Sequence, residues 1–217
     1  MTVPADPADA PVAPSAPAAV PWWRHALSAL VLVALLAIAA VVSDTAPRGG
    51  GWQAAIPVEG RVGDTLVGRN IEATVHGVRA ADSVQTANGW QGATTGVWIV
   101  VDLSVSAVVD DRAALLGNAS LRLGDRRYSA SDRPGLSALA GLPLSVGVPL
   151  TGPLLFEVPR ADLDSADGRG ARLELGIDSD PRTDSLLVVP VDLTALTTEP
   201  SIETEAPLLG DPAAGAE

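Results

Sequence analysis

Val97-Trp98-Ile99-Val100-Val101-Asp102-Leu103-Ser104-Val105-Ser106-Ala107 (VWIVVDLSVSA) puts Val97, Ile99, Val101, Leu103, Val105 and Ala107 on one face and Trp98, Val100, Asp102, Ser104 and Ser106 on the other. Side chains alternate across a strand, so this period of two with one wholly apolar row predicts a β-strand whose apolar row meets a core. The opposite row mixes Trp98 and Val100 with polar residues, which makes that face partly apolar as well.

Working outward, the alternation returns in Leu173, Leu175 and Ile177 against Arg172, Glu174 and Gly176, and in Leu154, Phe156 and Val158 against Leu155 and Glu157. Weaker stretches of the same character run over 60–67, 71–79, 121–128, 147–151 and 186–193. Between them stand residues that tolerate tight or left-handed backbone: Gly68-Arg69-Asn70, Gly124-Asp125, Asp167-Gly168 and Asp180-Pro181. Seven or eight short strands with frequent turns and almost no helical periodicity predict an all-β domain, an immunoglobulin-like antiparallel β-sandwich over 59–195. Residues 110–117 read as one helical turn or a strand crossover. Residues 131–144 read as a long loop with a short helix around 136–140.

Ahead of this domain, Ala26 to Val42 (ALSALVLVALLAIAAVV) carries no charge and follows Trp22-Trp23-Arg24-His25. At about 1.5 Å per residue the run covers about 26 Å, near the lower limit for a hydrocarbon core of about 30 Å. Residues 22–43 are therefore expected to form a transmembrane signal-anchor helix, with 26–42 in the bilayer and Trp22, Trp23 and Arg24 at the interface. Ala37-Ile38-Ala39 resembles a cleavage site but lies inside the apolar run, which favours an uncleaved anchor. Basic residues are nearly balanced, Arg24 before the helix and Arg48 after it, so bulk decides the expected orientation: a short tail in the cytoplasm and the domain outside. Residues 1–21 are Pro/Ala-rich and are expected to be disordered, 44–58 to be a Gly/Pro linker with Trp52 near the interface, and 196–217 to be a disordered acidic tail.

Asp and Glu number 26 against 14 basic residues, a formal net charge of -12, and neutralising a phosphate backbone needs clustered cations, so a nucleic-acid partner is not expected. All the basic residues are Arg, a bias of GC-rich bacterial coding sequence. The absence of cysteine excludes a disulfide framework, a thiolate metal site and a cysteine nucleophile.

Gly96 to Val105, the segment Leu121 to Tyr128 and Gly152-Pro153-Leu154-Leu155-Phe156-Glu157-Val158-Pro159 together make the chain resemble a family of exported bacterial immunoglobulin-like (telokin-like) domains of unknown function, of actinobacterial type. That resemblance covers 60–193 and implies an exported sandwich on a membrane or lipid anchor. It brings no reaction and no catalytic residues. Ala107 and Arg126-Arg127 depart from the family's pattern, which commonly has a polar turn residue after the central strand and a Gly before the Tyr.

No arrangement of residues specifies catalysis. His76, the domain's one histidine, would have to serve any Ser/His/Asp site, yet no Gly-x-Ser-x-Gly elbow accompanies it and it reads as a solvated strand residue. The cluster Asp162-Leu163-Asp164-Ser165-Ala166-Asp167-Gly168 superficially resembles a calcium loop, but its spacing and the strand that follows favour an acidic hairpin turn. Asn118-Ala119-Ser120 matches a glycosylation sequon of the kind that arises by chance. Trp90, flanked by Gly89 and Gly92, is either tucked over the sandwich edge or presented as an anchor, and Trp98 with Val100 would form a docking patch if exposed. These residues predict a membrane-anchored, extracytoplasmic binding or accessory module without cofactor or metal, acting on a protein of the cell envelope. A carboxylate-based envelope hydrolase or sugar-processing enzyme and a ligand-free structural spacer are the alternatives.

Overall fold

The computed structural model describes residues 21–45, 54–110 and 114–210, in two compact units, 1–49 and 50–217. Residues 1–20, most of the linker with Trp52, and 211–217 lie outside the described residues, as do 111–113.

In the first unit the Ala/Leu/Val run, rich in helix formers and free of Gly and Pro after Pro21, forms α1 (Trp22–Thr45). The window Trp22–Ser43 is exposed on every side, and its 22 residues give a helix of about 33 Å. This helix is long and apolar enough to cross a membrane.

The second unit is a sandwich of two sheets. Five strands, β1 (Ile56–Glu59), β9 (Ser185–Val191), β8 (Ala171–Gly176), β5 (Asn118–Leu123) and β6 (Arg126–Ser129), lie side by side in that order. The larger sheet runs β10 (Thr198–Glu199), β3 (Ile71–Thr86), β4 (Gln91–Ala107), β7 (Leu150–Val158) and β12 (Leu208–Leu209), with β2 (Thr65–Val67) and β11 (Ile202–Thr204) also on β3. Most pairs are antiparallel, whereas β1 runs parallel to β9, and β10 and β11 run parallel to β3.

The period-two pattern of 97–107 is realised in β4. Val97, Ile99, Val101, Leu103 and Val105 point between the sheets, where they join Leu154 and Phe156 of β7 and Leu121, Leu173, Leu175, Leu187 and Val189 from the facing sheet. Each such side chain contributes about 1.5–3 kcal/mol on burial, so this layer holds the sheets together.

Several boundaries differ from the sequence expectation. Of the strand expected over 60–67 only β2 is formed, after a turn around Gly63 (φ 94), while β1 precedes that stretch and begins inside the expected linker. The 121–128 stretch is a hairpin, β5 and β6, around Gly124 (φ 56), while the two stretches over 147–158 merge into β7. The acidic turn is not a hairpin: β7 and β8 belong to different sheets, and the chain passes between them through α2 (Arg160–Leu163) and α3 (Ala166–Arg169). The largest correction concerns the C-terminal segment. Thr198 to Leu209, expected to be disordered, supplies β10, β11 and β12.

Candidate functional site

The part of the larger sheet's outer face around Trp98 is covered, and this decides the fate of the residues singled out as contacts. Trp98 and Val100 are fully buried, so the docking patch expected from them is not exposed. They form a second, smaller core with Ala81, Val84, Leu155, Ala138 of the 131–144 loop and Ile202 of β11, against which Trp90 packs half-buried. The Trp90 and Trp98 rings meet edge to face at 5.8 Å, and the Arg133 guanidinium stands 5.5 Å and 5.7 Å from the two ring centres. That is cation–π geometry, and Arg133 also pairs with Glu157 at 3.3 Å.

The cover is held in register by hydrogen bonds. Ser131 N–H donates to the Leu155 carbonyl at 2.7 Å and Leu139 N–H to that of Pro153 at 2.9 Å, so the loop follows the β7 edge. The C-terminal segment then crosses the sheet: β11 runs along β3, Pro207 passes over Gly152, and β12 pairs with Leu150 and Thr151. A β-carbon at Gly152 would lie 3.1 Å from Pro207, which is why glycine stands there.

Beneath this crossing runs a chain of polar groups with a defined direction. The Thr151 hydroxyl donates its one proton to the Gly210 carbonyl at 2.8 Å, so Thr151 Oγ1 is an acceptor toward Ser104 Oγ at 2.6 Å. The Ser104 proton is thereby committed to Thr151, and His76 Nε2, 2.7 Å from Ser104 Oγ, must donate. His76 thus offers Ser104 a proton and no lone pair, the reverse of what a general base beside a nucleophile requires.

Next to this chain the crossing segment and the sheet enclose a cleft of about 420 Å³. Arg79 and Asp102, paired at 3.1 Å, Glu203, Thr204 and Glu205 supply its polar wall, and Pro153, Leu208 and Leu209 are among its apolar contributors. Thr204 is 7% exposed and its hydroxyl is buried without a hydrogen-bond partner. The cleft is not legible in the sequence because its outer wall lies in a segment whose acidic, Pro-containing composition predicts a disordered tail. The alternation Ile202, Glu203, Thr204 and the pair Leu208-Leu209 were the available signals.

The other singled-out residues fall elsewhere. Asp162 is buried, accepts both bonds of Arg126 Nη1 at 2.6 and 2.7 Å, and takes the Tyr128 hydroxyl at 2.7 Å. Burial alone would push its carboxyl up, but the bonds from Tyr128 and Arg126 together hold it below the ordinary value. Burial, with the adjacent Asp162 carboxylate, raises the Tyr128 phenol. Ser165 caps α3, accepting from Gly168 N–H at 2.9 Å. The acidic segment is thus a braced connection rather than a solvated turn, and no cluster of three or more His, Asp or Glu side chains suited to a metal occurs among the described residues. Asn118 is buried in β5 with Oδ1 accepting from Ser120 at 3.0 Å, so the folded domain has no room for a glycan at the sequon. Trp22, Trp23 and Arg24 open α1, both tryptophans exposed.

No family model and no curated protein sequence matches the chain. Two solved structures are similar to it. The yjhA protein from Bacillus subtilis shares 15% identity over 59% of this chain and 98% of its own, with a TM-score of 0.42. An uncharacterized beta-sandwich protein from Clostridium difficile 630 shares 11% identity over 64% of this chain and 96% of its own, with a TM-score of 0.38.

Proposed function

We propose that this chain is a single-pass, membrane-anchored binding or accessory module of the bacterial cell envelope, with the β-sandwich outside the membrane and working through contacts with a protein partner. The observation that carries the reading is α1, whose apolar surface is exposed through Trp22–Ser43. An apolar helix in water has its whole surface to hide, and a bilayer accepts it without a protein partner. The immunoglobulin-like character is supported by two of the three resembling stretches, 96–105 and 152–159, which stand as neighbours in the sheet with Val97 opposite Val158 and Leu103 opposite Gly152. For the contact surface, the cleft replaces Trp98 and Val100: Leu208 and Leu209 at its rim are 63% and 70% exposed.

Carbonate extraction of membranes from the producing cell tests the anchor; the full-length chain stays in the pellet, and release into the supernatant overturns the reading. A C-terminal reporter active only outside the cytoplasm tests the orientation, and cytoplasmic activity reverses it. A photo-crosslinker at Leu208 is expected to give one reproducible adduct in intact cells, and one at Arg172, exposed on β8 of the other sheet, none. Equal labelling at both positions counts against a specific contact.

A further inference from the structure

We propose that the end of the sandwich at which the chain enters the domain rests on a lipid bilayer, its exposed apolar side chains seated among the headgroups. This deepens the membrane-anchored reading and rests on α1 as the span.

Ten large apolar side chains of the second unit are exposed among the described residues, and they are unevenly placed. Six of them, Ile56, Val67, Val109, Leu115, Val146 and Val148, belong to one end. Backbone pairing sets them there: Ile56 stands opposite Ser185 at the start of β9, and Val67 opposite Glu72 near the start of β3. The Asn70 amide donates to the Asp184 carboxylate at 2.7 Å, which brings the starts of β3 and β9 together across the two sheets. Ile71 faces Ala107 at the close of β4, so Val109 lies just beyond it, while Val146 bridges to Ala107 and Val148 to Ser145. Leu115 is held to Pro143 in the same group of loops. Of the other four, Leu208 and Leu209 flank this end on β12, and Val62 precedes Gly63, which bonds to Val75 midway along β3. That leaves Leu136 at the far end, where Pro134 meets Asn88.

Apolar side chains gathered in this way mark a contact surface, and the covalent chain identifies the bilayer as what covers it. β1 starts with Ile56 at this end, and nine Cα steps join Thr45 of α1 to Ala54, a reach of no more than about 32 Å. The far end stands a further distance of about 33 Å away along 97–107 of β4. With α1 in the membrane, the tether keeps the apolar end close to the lipid at a high effective concentration, so a shallow contact suffices. Carboxylates limit its depth: Asp110 follows Val109, and the turn between β8 and β9 carries Asp178, Asp180 and Asp184. These stay hydrated at headgroup level, and the loops of the larger sheet with Val109, Val146 and Val148 reach toward the acyl boundary. A formal net charge of -12 makes this an apolar contact rather than an attraction to anionic lipid.

The chain has no cysteine, so a single introduced thiol carries a label specifically. The test places an environment-sensitive fluorophore on Val109→Cys, on Val148→Cys and on Asp125→Cys, the last at the exposed turn of the opposite end. Each full-length chain is reconstituted in phosphatidylcholine vesicles containing a nitroxide-labelled phosphatidylcholine. Quenching severalfold greater at 109 and 148 than at 125 is expected, and it persists in high salt. Val67→Asp with Val148→Asp, both at exposed positions, is expected to abolish the quenching at 109 while leaving the melting temperature unchanged, which separates a lost contact from a lost fold. Equal quenching at all three positions, quenching that vanishes in high salt, or quenching at 109 indifferent to the two aspartates overturns the proposal. A label at 109 that is shielded from water yet untouched by the nitroxide assigns the cover to a protein, a second copy or another, and overturns it as well. Failure of these signals in a chain that resists carbonate extraction removes the lipid contact and leaves the anchor standing, whereas extraction by carbonate removes the anchor itself.

Discussion

Trp98 shows how far a single side chain can be read from sequence. The alternation in 97–107 correctly set it on the face opposite the main core. What hides it there is Ala138 and Ile202, about 40 and about 100 residues further along the chain, and no local pattern announces such distant partners. Burial turns a presumed contact residue into a stability residue. Trp98→Ala is expected to cost about 3–5 kcal/mol by urea unfolding. Trp98→Phe should cost much less, since it keeps most of the ring and removes an indole N–H that is buried without a partner. An unchanged unfolding midpoint for Trp98→Ala would mean the ring is solvent-facing after all. Asp162 carries the other residue-scale prediction. Its carboxyl titrates below the unfolded value of about 3.9, so the stabilisation it gives is complete above that pH and is lost as the pH falls through the lower, folded value. Tyr128→Phe removes one donor from a buried carboxylate, which should cost about 1–3 kcal/mol at neutral pH and move acid unfolding to higher pH. An acid midpoint that stays in place after the change would separate Tyr128 from the titration of Asp162.

Among the elements, those with long alternation were legible and those of two to four residues were not. β4 and β8 announce themselves because at least three inward positions repeat at a spacing of two. β10, β11 and β12 hold only two or three residues each, too few for a period, and they sit among Glu, Pro and Ser that by composition favour a disordered tail. They are ordered because β3 and β7 offer them backbone partners and because Ile202 completes the second core. Ending the chain after Thr197 therefore tests whether this segment is structural. The truncated chain is expected to melt several degrees lower and to bind a hydrophobic dye through the uncovered Trp98, Val100 and Leu155, with the far-UV spectrum retaining its β character because the main core does not include the segment. An unchanged melting temperature and no dye binding would show that the second core closes without it.

At the scale of the whole molecule, a sandwich with its own core and a helix with no described cover deal with their apolar side chains in different ways. The sandwich removes its apolar rows from water by facing one sheet with another, whereas α1 presents Leu30, Leu32, Val33, Leu36 and Ile38 outward together. Such a helix is stable where water is absent, its backbone hydrogen bonds being satisfied within the segment. The run of seventeen residues from Ala26 to Val42 is near the minimum length, so it has little reserve against a charge at its centre. Leu35→Arg replaces a favourable contribution of about 0.6 kcal/mol with a penalty of about 2.5–3.5 kcal/mol, a swing on the order of 3–4 kcal/mol. The carbonate-resistant fraction should then fall steeply, while Leu35→Ile, of equal size and similar hydrophobicity, leaves it intact. If the Arg variant remains in the membrane as firmly as the original chain, the anchoring force lies in the rest of the protein, and α1 has lost its claim to be the span.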